Sequence, residues 1–281
     1  MTRRNFLTLT GSVITLALRG QAGSTAAAGE VPDAVSPPRV DLHVHLDNST
    51  IEQVAALGVE RGVKLGVVEH AGTKENQYPV VLSNDAELLA FITKLEGKGV
   101  YKGIQAEWID WAGCFSKETL KQLDYVLSDA MTMPGPNGKR MKLWDPAATI
   151  GPAEEFMEKY VAWHVQCMAQ QPLDIFGNTT WLPDALMPQY DILWTEARMQ
   201  QLIEAAVKHN VALEISSWLQ LPKLPFLRLA KEAGAKFSFG SNGRYPKMGL
   251  IDYCLESAAA LQLTPADIYL PSPLGPKAAR A

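Results

Sequence analysis

Short apolar runs rich in β-forming residues alternate with longer segments of helical periodicity, and no clear domain break interrupts the alternation. Strict alternation of this kind favours parallel strands covered by outer helices. It predicts an α/β fold, either a TIM-barrel-like (β/α) barrel or an open α/β sheet. The predicted strands are 40–45, 64–69, 100–107, 124–129, 172–178, 211–216 and 236–241.

Helix starts and stops lie between these runs. Asn84 is a natural N-cap before an apolar stripe that stops at Gly97, and the segment 50–62 carries a similar stripe that ends at Gly62. The same capping chemistry predicts helix starts at Ser116 and Thr195, and a last helix at Thr264 with Pro265 in its first position.

Two segments are too irregular for either pattern. Thr132 to Pro152 is rich in Pro and Gly and predicts a loop over the barrel mouth, as a functional lid or as an inert surface loop. Trp181 to Trp194 is rich in Pro and aromatic residues. It is expected either to shape a substrate pocket or to pack against the barrel rim.

Residues 1–28 have the pattern of an export signal. Thr2-Arg3-Arg4-Asn5-Phe6-Leu7 resembles the twin-arginine motif, an apolar run follows, and Ala26-Ala27-Ala28 predicts cleavage after Ala28. The apolar run is shorter than the roughly 20 residues of a membrane span. We expect a periplasmic or secreted protein with no stable membrane span after cleavage; an ordinary secretory signal or an uncleaved lipid-free anchor is the alternative.

Residues 29–281 fit one domain of barrel size. A formal net charge of −4 and the absence of a basic cluster outside the signal argue against a nucleic-acid surface. Cys114, Cys167 and Cys254 are odd in number and widely spaced, so they predict no disulfide framework. His164 and Cys167 lie three apart on a predicted helix and could share a metal or simply pack in the core.

The stretch from Val40 to Asp47 contains His43 and His45, which are two residues apart on a predicted strand. Side chains at i and i+2 project from the same face of a strand, about 7 Å apart along the backbone. This is the geometry of a metal clamp, and the alternative is a strand cap beside a core histidine.

Polar residues end nearly every predicted strand, at the face where barrel active sites lie. Any single one could be a helix cap or a buried hydrogen-bond partner, so the evidence is their convergence. They are His43, His45, Glu69, His70, Gln105, Glu107, Asp129, Asn178, Glu214, Ser241, Asn242 and Arg244.

The chain resembles the polymerase and histidinol phosphatase (PHP) superfamily of metal-dependent phosphoesterases, which have a distorted seven-stranded (β/α) barrel. The motifs follow the family's order over most of residues 29–281. They are Asp41-Leu42-His43-Val44-His45, Val68-Glu69-His70, Lys102-Gly103-Ile104-Gln105-Ala106-Glu107, Leu213-Glu214-Ile215-Ser216-Ser217 and Phe239-Gly240-Ser241-Asn242-Gly243-Arg244.

The resemblance implies that His43 and His45 bind one metal and that His70 binds a neighbouring one. Several expected ligands are replaced. Gln105 stands where the family has a bridging Glu, and the family's His after the fourth strand is missing from the segment around Asp129. The other replacements are Asn178 for a His, Asn242 for an Asp and Arg244 for a His.

Neutral side chains at these positions cannot offset the charge of a two- or three-metal centre. We therefore predict one divalent ion, Zn²⁺, Mn²⁺ or Fe²⁺, held by His43, His45 and a carboxylate, Glu107 or Asp129. Such an ion would lower the pKa of bound water towards about 7. His70 or Asp129 would serve as general base, while Arg244, Asn178 and Asn242 would bind the substrate.

The predicted function is an exported metal-dependent hydrolase, a phosphoesterase with a small anionic substrate. A second hypothesis is a catalytically inactive barrel that binds an anionic ligand in the periplasm, with Arg244 supplying fixed positive charge. A third is amidohydrolase-like cleavage of a C–N or C–O bond, which shares the His-x-His pair but normally needs an Asp at Asn242.

Overall fold

The computed structural model describes residues 36–47 and 49–281, so the predicted signal at 1–28 lies outside the described residues. Each of the seven predicted strands is found, most of them one to three residues shorter at an end. The strands are β1 (Val40–His45), β2 (Lys64–Val68), β3 (His70–Ala71), β4 (Tyr101–Ala106), β5 (Tyr125–Asp129), β6 (Thr132–Pro134), β7 (Arg140–Lys142), β8 (Ile175–Gly177), β9 (Ala212–Ser216) and β10 (Phe237–Gly240).

The sheet is parallel and almost closes on itself. Its order is β1-β2-β4-β5-β8-β9-β10, and the two-residue β3 extends the line of β2 alongside β4. The two ends meet where the His45 amide donates to the Gly243 carbonyl at 3.0 Å and the Gly243 amide donates to the His43 carbonyl at 3.1 Å. The fold is therefore a TIM-barrel-like α/β barrel, and the open-sheet alternative does not apply.

Asp41, on β1, stabilises this closure of the barrel. Its buried carboxylate accepts hydrogen bonds from the Ser241 amide at 2.9 Å, the Ser241 hydroxyl at 2.6 Å and the Gly249 amide at 2.8 Å. Burial raises the pKa of Asp41, and these hydrogen bonds oppose the rise.

Helices cover the outside of the barrel. The predicted caps at Asn84, Ser116 and Thr195 are confirmed, because each side chain accepts from the backbone three residues on, and Thr50 caps the first helix in the same way. The last predicted helix is wrong, because Thr264 begins only the short 3₁₀ turn Pro265–Asp267. The helices are α1 (Ile51–Arg61), α2 (Asp85–Leu95), α3 (Lys117–Leu120), α4 (Ala153–Gln170), α5 (Tyr190–Leu193), α6 (Glu196–Lys208), α7 (Leu224–Glu232), α8 (Asp252–Leu261) and α9 (Lys277–Arg280).

Tyr125 fills the barrel interior. Its hydroxyl donates to the Leu42 carbonyl at 2.8 Å. Its ring lies against Gly103, where an added Cβ would be 2.4 Å from a ring carbon, and its hydroxyl oxygen would lie 2.6 Å from a Cβ at Gly66. The two glycines make room for an aromatic ring between strands β2 and β4.

The structure corrects the predictions for both segments that were expected to be irregular. Thr132 to Pro152 contains an antiparallel hairpin, β6–β7, because the Gly135 amide pairs with the Lys139 carbonyl at 2.8 Å and closes a tight turn. Trp181 to Trp194 contains a 3₁₀ turn followed by α5. Both tryptophans are buried, which favours the packing alternative over a substrate pocket.

Among the described residues, no helix has both the length and the apolar character needed to cross a bilayer. The three cysteines are free thiols. His164 is buried with its ring edge-on to Tyr160 at a centroid distance of 4.1 Å, which favours core packing over a shared metal with Cys167.

Candidate functional site at the carboxyl ends of the strands

Three imidazoles lie side by side at the carboxyl ends of β1 and β2. The ring centroids of His43 and His45 are 5.3 Å apart, and those of His45 and His70 are 4.9 Å apart. All three side chains are buried. The predicted adjacency of His43 and His45 is confirmed.

Both ring nitrogens of His43 have partners. Nδ1 lies 2.7 Å from Oε1 of Glu214, and Nε2 lies 3.1 Å from Oε1 of Gln105. The amide nitrogen of Gln105 donates to Asp129 at 3.0 Å and to Glu107 at 3.3 Å, which orients its oxygen towards His43. Both ring nitrogens of His43 therefore face acceptor oxygens, and a hydrogen bond to each of them requires a proton on each nitrogen. Burial lowers the pKa of His43, but the charge and hydrogen bond of Glu214, together with the charges of Asp129 and Asp41, outweigh burial and the pKa is raised.

His45 has the opposite environment. Neither of its ring nitrogens has a hydrogen-bond partner among the described residues, although its side chain is fully buried. Burial lowers its pKa well below the ordinary value, and the neighbouring His43 and His70 lower it further. His45 is therefore a neutral imidazole between two others, with unused donor and acceptor capacity.

His70, Glu107 and Arg140 form a buried chain of contacts. His70 Nδ1 lies 2.7 Å from Oε1 of Glu107, and the other carboxylate oxygen accepts from Nη2 of Arg140. Burial alone would raise the pKa of Glu107, but His70 and Arg140 together lower it. Tyr78 stacks on His70 at a centroid distance of 3.8 Å, and its hydroxyl accepts from Arg140 at 3.0 Å.

Sequence reasoning missed Arg140, Tyr78 and Asn76, which all contact one another in this part of the site. Arg140 begins β7, so the β6–β7 hairpin carries it to Glu107. No sequence signal marks it, because a single Arg in a Pro- and Gly-rich segment is usually solvated. Only the docking of the hairpin shows that this segment contributes a charged side chain to the barrel mouth.

Asp129 lies on the far side of Gln105. It accepts from the Gln105 amide and, at 3.3 Å, from Nδ2 of Asn178. Burial, together with the Glu107 charge, raises the pKa of Asp129 to about 6. The structure thus brings Asp129 and Asn178 together, while their roles as base and substrate ligand stay predictions.

Arg244 lies at the rim of the barrel. Its Nε donates to Asp47 at 2.6 Å, and its Nη1 donates to the Asn242 side chain at 2.8 Å. Asn242 therefore orients Arg244. Nearby, burial raises the pKa of Glu69 to about 7, with a further contribution from Asp47, while His70 and Arg244 oppose the rise.

The predicted metal ligands do not fit a divalent ion in this arrangement. No group of three or more His, Cys, Asp or Glu side chains in residues 36–47 and 49–281 is placed to hold one. His43 uses both nitrogens as donors, whereas a metal ligand needs a lone pair. Glu107 shares its two oxygens between His70 and Arg140. A reduced site of His43, His45 and Glu107, or with Asp129 as the carboxylate, would need these contacts to break first.

No protein-family model and no curated protein matches this sequence. The fold is similar to that of a histidinol phosphate phosphatase from Lactococcus lactis subsp. lactis Il1403, crystallised with zinc, L-histidinol and phosphate. The TM-score is 0.57 at 14% identity, over 86% of this chain and 99% of that chain. An HpcH/HpaI aldolase from Desulfitobacterium hafniense DCB-2 has a TM-score of 0.36 at 13% identity, over 82% of this chain and 95% of that one. The first likeness supports the barrel fold, and the second is too weak to carry an argument.

Proposed function

We propose that the carboxyl end of this barrel hydrolyses a small phosphoester, with fixed cations holding the phosphate. The single observation behind the proposal is the pairing of His70 with Glu107, which leaves Nε2 of His70 without a partner among the described residues. Membership of the PHP superfamily is part of the proposal. The order of the strand-end motifs supports it, as does the likeness to a histidinol phosphate phosphatase.

In this proposal His70 is the general base. Glu107 holds the Nδ1 proton, so the lone pair lies on Nε2 and can take a proton from water as the water attacks phosphorus. The carboxylate also stabilises the imidazolium that forms, as an orienting acid does in other His-based sites. Glu69, whose pKa is about 7, can be protonated at neutral pH and can donate to the leaving oxygen.

Two guanidinium groups supply the positive charge. Nε of Arg140 is buried and has no partner among the described residues, and Arg244 retains Nη2 after its contacts with Asp47 and Asn242. Guanidinium groups suit phosphate oxygens because their donors form a planar fork. The charge on His43 adds to the same local field.

A second candidate is binding of a phosphorylated or carboxylated molecule without turnover. It is favoured by the ion pair between Glu107 and Arg140, in which both side chains are at least nine-tenths buried. While Arg140 is paired with Glu107, the β6–β7 hairpin that carries Arg140 lies against the His70–Glu107 pair. In this second candidate the barrel would bind the anion, and His70 and Glu107 would only shape the pocket.

One experiment separates the two. Residues 29–281, treated with a chelator, would be incubated with phosphate monoesters while released inorganic phosphate is measured. We expect turnover that falls about 10²- to 10⁴-fold in His70→Gln, as for loss of an acid–base group. His209→Gln, at the distant end of α6, is the matched control and should keep the rate.

Phosphate binding without release of product would favour the receptor. Turnover that returns only with an added divalent ion would reject the fixed-cation proposal and support the metal site predicted from the sequence.

Export is also a proposal, supported by the arginine pair at Arg3 and Arg4 and the small residues before Gly29. Replacing both arginines by lysine should retain the protein in the cytoplasm, as measured by cell fractionation. Equal amounts outside the cytoplasm with and without the replacement would contradict twin-arginine export.

A further inference from the structure

A second concavity lies outside the barrel mouth, where the chain leaves β9 and β10. Its volume is about 470 Å³, within the range of small-molecule sites. Trp218, Tyr245 and Leu250 provide its apolar wall, and Arg244 and Lys247 provide its charge. Arg244 belongs both to this pocket and to the rim of the candidate site.

The apolar wall is unusually exposed. Trp218 is 63% exposed, Tyr245 47% and Leu250 44%. Single exposed apolar side chains are ordinary on a protein surface, but several around one concavity mark a binding site. Large aromatic rings such as Trp and Tyr bury much area when a flat ligand stacks on them, at little cost in side-chain entropy.

The backbone that carries these side chains is held in place. The Ser216 amide donates to the Leu221 carbonyl at 2.7 Å, and the Ser217 amide donates to the Gly240 carbonyl at 2.9 Å. On the other wall, Asp47 and Asn242 both bind the Arg244 guanidinium. The pocket is therefore formed in advance, as small-molecule sites usually are.

The side chains that line the pocket carry only positive charge. The residues that line the pocket include two cations and no carboxylate, although Asp47 partly neutralises Arg244 from outside. The Lys247 side chain is exposed and forms no ion pair within the part of the chain that the structure describes. A ligand that matches both walls has a flat apolar ring at one end and an anionic group at the other.

We propose that this pocket is a specificity subsite for an aromatic ring, so that the ligand of this barrel is an aromatic molecule with a phosphate or similar anion. The inference depends on the proposed function only for the anionic end of this ligand, and not for the aromatic ring. Arg244 holds the anion where pocket and barrel mouth meet, and Trp218 and Tyr245 receive the ring.

Calorimetric titration with two phosphonates tests this without turnover. Phenylphosphonate and ethylphosphonate carry the same anion and differ in the ring. We expect the wild type to bind phenylphosphonate about fivefold more tightly, the typical worth of an aromatic contact. In Trp218→Ala and Tyr245→Ala the ratio of the two affinities should fall to about one. Leu274→Ala, at a 77% exposed residue outside the pocket, is the control and should keep the wild-type ratio.

An unchanged ratio in both pocket variants would overturn the subsite. The proposed function would survive that result if inorganic phosphate still bound. Conversely, if inorganic phosphate does not bind but benzoate binds and is lost in Trp218→Ala, the subsite stands and the phosphoesterase proposal fails.

Discussion

The side-chain oxygen of Gln105 lies 3.1 Å from Nε2 of His43 and accepts a hydrogen bond from it, at the barrel mouth. Two carboxylates, Glu107 and Asp129, hold the amide nitrogen of Gln105 on its other side. A neutral amide therefore links a charged imidazole to two acids. Because the two carboxylates hold the amide nitrogen, the amide oxygen faces His43 and accepts its hydrogen bond in this arrangement.

The first prediction concerns this amide. Gln105→Glu would place a carboxylate beside Glu107 and Asp129, and like charges in a buried site repel. In the presence of a chelator, we expect the variant to have a lower melting temperature than the wild type. Adding Zn²⁺ or Mn²⁺ should raise the melting temperature of the variant, because an ion that binds only the folded state stabilises it by about 2.7 kcal/mol when the ion concentration is a hundred times Kd. Thermal melts with and without the ion measure this.

Wild type should show little ion-dependent shift, and Gln122→Glu, at an exposed position, is the matched control. If elemental analysis found one equivalent of tightly bound ion in the wild type, that result would instead support the metal site predicted from the sequence at His43 and His45.

The second prediction concerns the buried ion pair. Glu107→Gln removes the negative charge that faces Arg140 and leaves one acceptor oxygen where Glu107 has one for His70 and one for Arg140. Breaking one side of a buried pair typically costs about 3–5 kcal/mol, because the other charge stays buried. Urea denaturation should show a loss of this size, and the double variant with Arg140→Met should lose less than the sum of the single variants.

Asp191→Asn breaks the exposed pair with Lys223 and should cost no more than about 1 kcal/mol. Additive effects of Glu107→Gln and Arg140→Met would show that the two side chains do not interact.

The third prediction tests the packing of the barrel. Gly103→Ala places a Cβ 2.4 Å from the Tyr125 ring, which is buried and cannot move aside. Overpacking of this kind costs roughly 1–3 kcal/mol. Gly113→Ala is the control, since nothing lies within 4 Å of its added Cβ. Equal melting temperatures for the two variants would place Tyr125 elsewhere than between β2 and β4.

The fourth prediction concerns His164, which burial holds neutral with a pKa of about 3. Its pKa in the unfolded chain is near 6.5, so the unfolded state takes a proton first as the pH falls. The stability that depends on a neutral His164 is therefore present above pH 6.5 and is lost as the pH falls towards 3. The full loss is on the order of 5 kcal/mol.

His164→Phe keeps the ring shape and removes the titration. Its stability relative to wild type, from urea denaturation at about pH 5 and about pH 8, should improve at the lower pH. A difference that does not change with pH would show that His164 is protonated or solvated in the native state. His45 has the same direction of shift and remains in both proteins, so it cancels in the comparison.

The barrel strands could be located from the sequence because their signals are local. A run of apolar residues, a cap such as Asn84 and a stop such as Gly62 depend on a few neighbours along the chain, and the structure preserves them. The same holds for His43 and His45, whose shared face follows from strand periodicity. The hairpin at Arg140 was missed because its strands are only three residues long, too short for a period to be read.

What the sequence by itself determined is therefore which polar residues end the strands and that they converge on one face of a barrel. What only the tertiary structure decided is how those residues pair. His43 meets Glu214 across 171 positions, and Arg140 reaches Glu107 across 33, through contacts made only when the barrel closes and the hairpin docks. The physical reason is that a hydrogen bond or ion pair is settled by distances of about 3 Å, which strand periodicity cannot resolve. The same periodicity is compatible with histidines that bind a metal and with histidines that donate to an amide, and only the tertiary structure shows that Gln105 lies beside His43.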